Sequence, residues 1–309
     1  MTMLPLNIND VSPQNKFDVI THLLCTPETS RNETASAVGL SAVTVGKVVS
    51  RMLERGLLDA TSAQGQRGRS TEMLTPRKTL KALVVLIKES VCHANFILAD
   101  RTRINVLTHH RNESFQTVED VDIFLSKLRS AIQEEENIFG VYVVCELRSF
   151  SYREIDFKSS LGQTPDRIMT LEEVMGICFN TRYPSKTVLY VDINEYIRYS
   201  LYSNGSSLSK NAQPKLPEER DERSIANYIS SELISLFEVI VPDIVAIVSD
   251  KITADRRFVD YLLKRVTQKA ELPQELLPTF ICDKDTDMIG DTVFDIGINA
   301  FAKNLSGME

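Results

Sequence analysis

Between Ser30 and Gly56 the sequence carries the starts and stops of two helices, so close together that few folds can accommodate them. Ser30-Arg31-Asn32-Glu33 is a capping box, in which the Ser30 hydroxyl accepts from the third helical N–H and Glu33 reaches back. The helix it opens carries Ala35 and Val38 inward and stops at Gly39, a residue suited to a left-handed turn. Leu40 follows as a core plug. Ser41 is a good N-cap for the next helix, which places Val45, Val48, Val49 and Met52 on one stripe before Gly56 closes it. Upstream, Ser12-Pro13 precedes a helix with Phe17, Ile20, Leu23 and Leu24 at helical spacing, ended by Pro27. This pattern predicts a helix-turn-helix.

The face opposite the valine stripe points to a partner. Ser41, Ala42, Thr44, Lys47, Ser50 and Arg51 are small or basic, so this helix can sit deep in a major groove. Gly46 in mid-helix costs about 1 kcal/mol relative to Ala, which close backbone approach to DNA would offset. Leu57 to Ala60 and Thr71 to Pro76 read as extended segments flanking the tip Gln64-Gly65-Gln66-Arg67-Gly68-Arg69, the pattern of a winged helix. Arg67 and Arg69 at that tip can enter the minor groove or grip phosphates. Charge agrees: the chain has a net charge of −7, yet residues 41–78 hold seven basic groups against three acidic ones. Two packed helices and a solvated linker are the bland alternative. Three helices, the turn and a basic hairpin in this order favour double-stranded DNA.

Composition excludes several other classes. With 43% hydrophobic residues, 12 Gly and 11 Pro in 309 residues, the chain is neither collagen-like nor mostly disordered. Cys25, Cys92, Cys145, Cys178 and Cys282 form no CxxC pair, which fits buried thiols in a reducing compartment better than a zinc site. Met1 to Asp10 lacks the regions of a signal peptide, and no apolar run reaches the length of a membrane span. A cytoplasmic protein with no membrane partner is expected.

From Lys81 onward strands and helices alternate. Leu83–Ile87, Val91–Leu98 and Ile104–Leu107 read as three antiparallel strands, followed by a helix with Val121, Phe124, Leu125, Leu128 and Ile132 inward, then a strand Val141–Cys145. Strands Thr187–Ile193 and Tyr196–Tyr202 lead to a hairpin turn at Asn204-Gly205, and Ser206–Asp221 reads as a polar loop. A helix over 222–240, strand 244–248, helix 255–269, strand 277–282 and helix 288–305 complete an α/β body without a fixed-period repeat.

Asn15 through Asp59, the tip Gly65–Arg69 and the following Leu74-Thr75-Pro76 resemble the winged helix and link of ROK-type (repressor, open reading frame, kinase) transcriptional regulators. The resemblance implies an N-terminal winged helix-turn-helix over residues 1–79. It implies a two-lobed actin-like ATPase (ROK-like) domain over 80–309, with lobes of about 80–185 and 186–309 and any effector pocket in the cleft between them. The family's chemistry is not matched. Lys88-Glu89-Ser90 and Asp192-Ile193-Asn194-Glu195 stand where Gly-rich turns cradle phosphates, and acidic groups there repel phosphate oxygens. Glu172-Glu173-Val174-Met175-Gly176 places valine where the family has its catalytic aspartate. The Glu-x-Gly-His sugar contact and the Cys-rich zinc motif are absent.

No catalytic residue, cofactor or metal site is therefore expected. His109-His110 reads as surface rather than as a ligand pair, and Glu134-Glu135-Glu136 as a solvated face. Asp283, Asp285 and Asp287 read as a loop rather than a calcium site, for want of a glycine and terminal glutamate. The expected function is that of a sequence-specific DNA-binding regulator, a repressor by resemblance. It would act as a homodimer or higher oligomer with a sugar or sugar derivative as effector. The alternatives are a divergent carbohydrate kinase with an appended winged helix and a protein-interaction scaffold.

Overall fold

Ser12 accepts from the Asn15 N–H and Pro13 occupies the first helical turn, so the chain enters α1 (Pro13–Cys25) at a defined residue. In this computed structural model the described residues are 5–64, 70–88, 91–110, 117–147, 150–193, 196–215, 222–237, 239–248, 256–269, 274–283 and 285–308. β1 (Thr29–Ser30) and α2 (Arg31–Val38) follow, the latter opened by the capping box of Ser30 and Glu33 and closed by Gly39 at φ +68°. α3 (Ala42–Glu54) is capped by Ser41. β2 (Leu58–Gln64) and β3 (Ser70–Pro76) pair antiparallel, and β1 adds to β3, giving the order β1-β3-β2.

Val45, Val48, Val49 and Met52 are all fully buried, as their spacing predicts. On α1 the buried residues are Lys16, Val19, Ile20, Leu23 and Leu24. Phe17 and Val38, expected inward, are only half-buried. The Lys16 ammonium reaches the Leu6 carbonyl at 3.4 Å, which explains how a lysine can lie under this core.

Next come β4 (Lys81–Lys88), β5 (Val91–Leu98), β6 (Arg103–His110), α4 (Val118–Glu134), β7 (Ile138–Glu146), α5 (Phe157–Leu161) and β8 (Arg167–Thr170), forming a sheet of order β6-β5-β4-β7-β8. The remainder comprises α6 (Leu171–Arg182), β9 (Thr187–Ile193), β10 (Tyr196–Ser203), β11 (Ser206–Lys215), α7 (Glu222–Phe237), β12 (Ile244–Val248), α8 (Arg256–Lys269), β13 (Thr279–Asp283) and α9 (Asp285–Ser306). Its sheet runs β11-β10-β9-β12-β13. Each sheet thus has three antiparallel strands followed by two more, with the first strand at the centre. One topology is used twice, although the sequence shows no repeat.

Two expectations are corrected here. Ser206–Lys215 is a strand, not a loop: Asn204 and Gly205 both have positive φ (50° and 76°), so the chain turns tightly and pairs back onto β10. Its polar composition suits an edge strand. Asp285 and Asp287 lie in the first turn of α9, not in a loop, where acidic residues complement the helix dipole.

The chain divides into two compact units, Met1–Met169 with Val293–Glu309, and Thr170–Thr292. In the first unit Leu83, Val85 and Ile87 of β4 pack on Val121, Phe124, Leu125 and Leu128 of α4. On the other side, Phe139 lies 5.5 Å from Phe294 and 5.2 Å from Phe301 of α9, ring centre to ring centre. Central strands covered on both faces carry near-continuous apolar runs, as β4 and β7 do. In the second unit, Leu189, Val191 and Ile193 pack with Ile229 and Leu233 of α7 and Leu262 of α8.

Candidate nucleic-acid interface

α3 is held by its buried valines and leaves the rest of its surface to solvent. Ser41, Ala42, Lys47 and Arg51 are exposed, whereas Thr44 and Ser50 are half-buried. Ser41 spends its hydroxyl on the cap, accepting from the Thr44 N–H at 3.1 Å and sitting 2.9 Å from the Thr44 hydroxyl. Ser50 donates to the Gly46 carbonyl at 2.9 Å. The Ser41 and Ser50 hydroxyls thus serve the helix itself. Arg67 and Arg69 lie outside the described residues; the strands that lead to them, β2 and β3, pair from Leu58↔Pro76 to Gln64↔Ser70.

Each cation on this surface has a carboxylate beside it. Lys47 pairs with Asp10, Arg51 with Glu54 at 2.7 Å, and Arg31 with Glu72 at 2.8 Å. The bond from Lys47 holds the Asp10 carboxyl below its ordinary range. All three pairs are solvent-exposed, so water and salt screen them and a phosphate can replace the carboxylate. Arg31 was not among the sequence candidates. Its Nη1 lies 3.5 Å from where a Gly46 Cβ would stand, an ordinary contact distance, so the guanidinium sits beside Gly46.

The segment before α1 also reaches the surface. Asn7, Ile8, Asn9 and Asp10 join Arg31, Val43, Gly46, Lys47, Ser50, Arg51 and Glu54 around a recess of about 670 Å³. The Leu6 N–H donates to the Leu305 carbonyl of α9 at 2.6 Å, and Arg55 donates to the Pro5 carbonyl at 2.8 Å. Sequence reasoning treated these residues only as a non-signal terminus. The alternation of Leu6 and Ile8, both buried, with polar Asn7 and Asn9 was the available signal.

The positions matched to kinase chemistry lie in ordinary structural settings. Val174 and Met175 are fully buried in α6, and a Cβ on Gly176 would stand 2.4 Å from the Gly205 carbonyl oxygen. Gly176 thus permits the β10–β11 hairpin to pack closely on α6. Lys88 is a buried strand end in register with Glu146, and Asp192 is buried with its carboxylate 4.0 Å from Arg198. Glu89, Ser90, Asn194 and Glu195 lie outside the described residues. Glu135 pairs with Lys81, and Cys92 and Cys145 are buried thiols raised by desolvation, Cys145 up to about 12. His109 is half-buried on β6, and among the described residues no three His, Cys, Asp or Glu side chains are grouped to hold a metal ion. No single described helix is long and apolar enough to cross a membrane.

No protein-family model matches the sequence, and no curated protein matches it either. Among solved structures, a ROK family transcriptional regulator described as a homolog of the E. coli MLC protein superposes with a TM-score of 0.58. The match covers 94% of this chain and 98% of that one, at 8% identity. The chain has a ROK-type fold. A ROK family protein from Streptococcus pneumoniae TIGR4, solved in complex with sucrose, gives a TM-score of 0.48 at 12% identity, over 70% of this chain and 98% of its own. The ethanolamine utilization protein EutJ from Carboxydothermus hydrogenoformans gives 0.49 at 7% identity, over 72% and 89%. At these identities the ROK-type likeness speaks for the fold alone. The function has to come from the surface of this chain.

Proposed function

We propose that this chain is a sequence-specific DNA-binding transcriptional regulator, a repressor, whose residues 1–79 form a winged helix-turn-helix. The observation that carries the reading is the outward face of α3: Ser41, Ala42, Lys47 and Arg51 stand exposed over four fully buried core residues. A helix presented this way, followed by the paired strands β2 and β3 with Arg67 and Arg69 in the sequence between them, has the donors and cations to meet base edges and phosphates.

Residues 80–309 serve in this reading as a non-catalytic ROK-like effector and oligomerisation domain. A single head touches few base pairs, so a homodimer or higher oligomer on a palindromic operator supplies affinity. A sugar or sugar derivative would act as effector by binding one state of the protein better than another. The repressor sign comes from the resemblance. The kinase alternative lacks a base: Val174, where the aspartate would stand, can take no proton and is fully buried.

Gel-shift assays on the DNA upstream of the gene, with Lys47→Ala and Arg67→Ala variants, test the reading, and ATP turnover over a sugar panel tests the alternative. Weakened binding in both variants and no turnover are expected. Unchanged binding in both variants rejects the assigned surface.

A further inference from the structure

α3 contains one valine out of place. Val45, Val48 and Val49 are fully buried, whereas Val43 is 70% exposed. At about 100° per residue, Val43 projects roughly opposite the centre of the buried stripe, close to the line of Lys47. A single exposed valine is ordinary on a protein surface. This one lines the same recess as Arg31, Lys47 and Arg51, together with Gly46 and Ser50. It is an apolar group among three cations, of which Lys47 and Arg51 are paired with Asp10 and Glu54 of the same recess.

That arrangement matches the cross-section of a DNA major groove. Phosphates form its rims, and the apolar group exposed on its floor is the 5-methyl of thymine. A protein surface is a poorer fit, because one valine among Asn7, Asn9, Asp10 and Lys47 offers no apolar patch of the size a docking partner buries. Building on the DNA-binding reading above, we infer that Val43 packs on a thymine methyl group and so makes T·A pairs beneath the first turns of α3 part of the recognised sequence.

Duplexes selected from a random-sequence library by the full-length protein provide the test. Each thymine of the selected site is replaced in turn by uracil, which removes the methyl group and leaves base pairing intact. Wild type is expected to lose about fourfold in affinity at one or two positions, the transfer value of one methyl group. Val43→Ala is expected to bind the thymine and uracil duplexes alike at those positions, and Val43→Thr, which keeps a γ-methyl, to retain part of the difference. Full retention of the uracil penalty in Val43→Ala, or no penalty anywhere in wild type, overturns the inference. A selected duplex bound in a salt-sensitive way but indifferent to uracil removes the role of Val43 and leaves the DNA-binding reading standing. A library that yields no salt-sensitive duplex removes both.

Discussion

The Lys47 ammonium on the outward face of α3 is bonded to the carboxylate of Asp10, a residue of the segment that also bonds to α9 through Leu6 and Leu305. In the DNA-binding reading this carboxylate competes with a phosphate for the same cation. Asp10→Asn is therefore expected to raise affinity for a bound duplex a few-fold. Fluorescence anisotropy checks this, and the gain should shrink as salt rises, because added ions screen the competition.

Gly39 and Gly56 hold left-handed backbone, at φ +68° and +64°. Gly39→Ala has open space for its Cβ, so it is expected to cost about 1 kcal/mol from backbone strain alone, and Gly39→Asn less. Gly56→Ala should cost more, because its Cβ would meet Arg77, whose guanidinium donates to the Gly56 carbonyl at 3.2 Å. Urea unfolding of the three variants measures the order.

The capping box gives a pH dependence with a definite sign. The Ser30 N–H donates to Glu33 at 2.7 Å, and this bond holds the Glu33 carboxyl below its ordinary value of 4.5. A lowered folded-state value means the stabilisation is complete above the ordinary value and is lost as pH falls through the lowered one. Glu33→Gln keeps an acceptor oxygen and removes the titrating group. The melting temperatures of wild type and variant should differ most near neutral pH and converge as pH falls through the lowered value.

Placing an acid at Val174, the position that resemblance aligns with a kinase aspartate, should not create activity. Val174→Asp places a carboxyl in a fully buried site on α6 and is expected to destabilise the protein by about 3 kcal/mol or more without creating ATP turnover. Phosphotransfer in a folded variant would contradict the expectation that the segments at Lys88 and Asp192 cannot cradle phosphates.

Much of the head was legible because its signals are local. Ser30, Glu33, Gly39 and Ser41 act within a few residues of themselves, and all four sit where their chemistry requires. The edge strand β11 was not legible: its pairing partner, not its own polar composition, makes it a strand. α6 was legible in principle, since Leu171, Val174, Met175, Cys178 and Phe179 recur at helical spacing. At the candidate site, the sequence places Lys47 and Arg51 on the outer face. The placement of Arg31 beside Gly46 and of Asp10 on Lys47 depends on contacts between distant segments, which no local pattern encodes. Val43 could have been found by extending the helical phase two residues back from Val45.

The most direct measurement is the salt dependence of duplex binding for wild type, Lys47→Ala and Arg67→Ala. If these cations meet phosphates, log affinity falls linearly with log salt, and each substitution flattens the slope by about 1. Slopes unchanged in both variants, or binding indifferent to salt in the wild type, would contradict the claim that this face of α3 and the hairpin after it grip DNA.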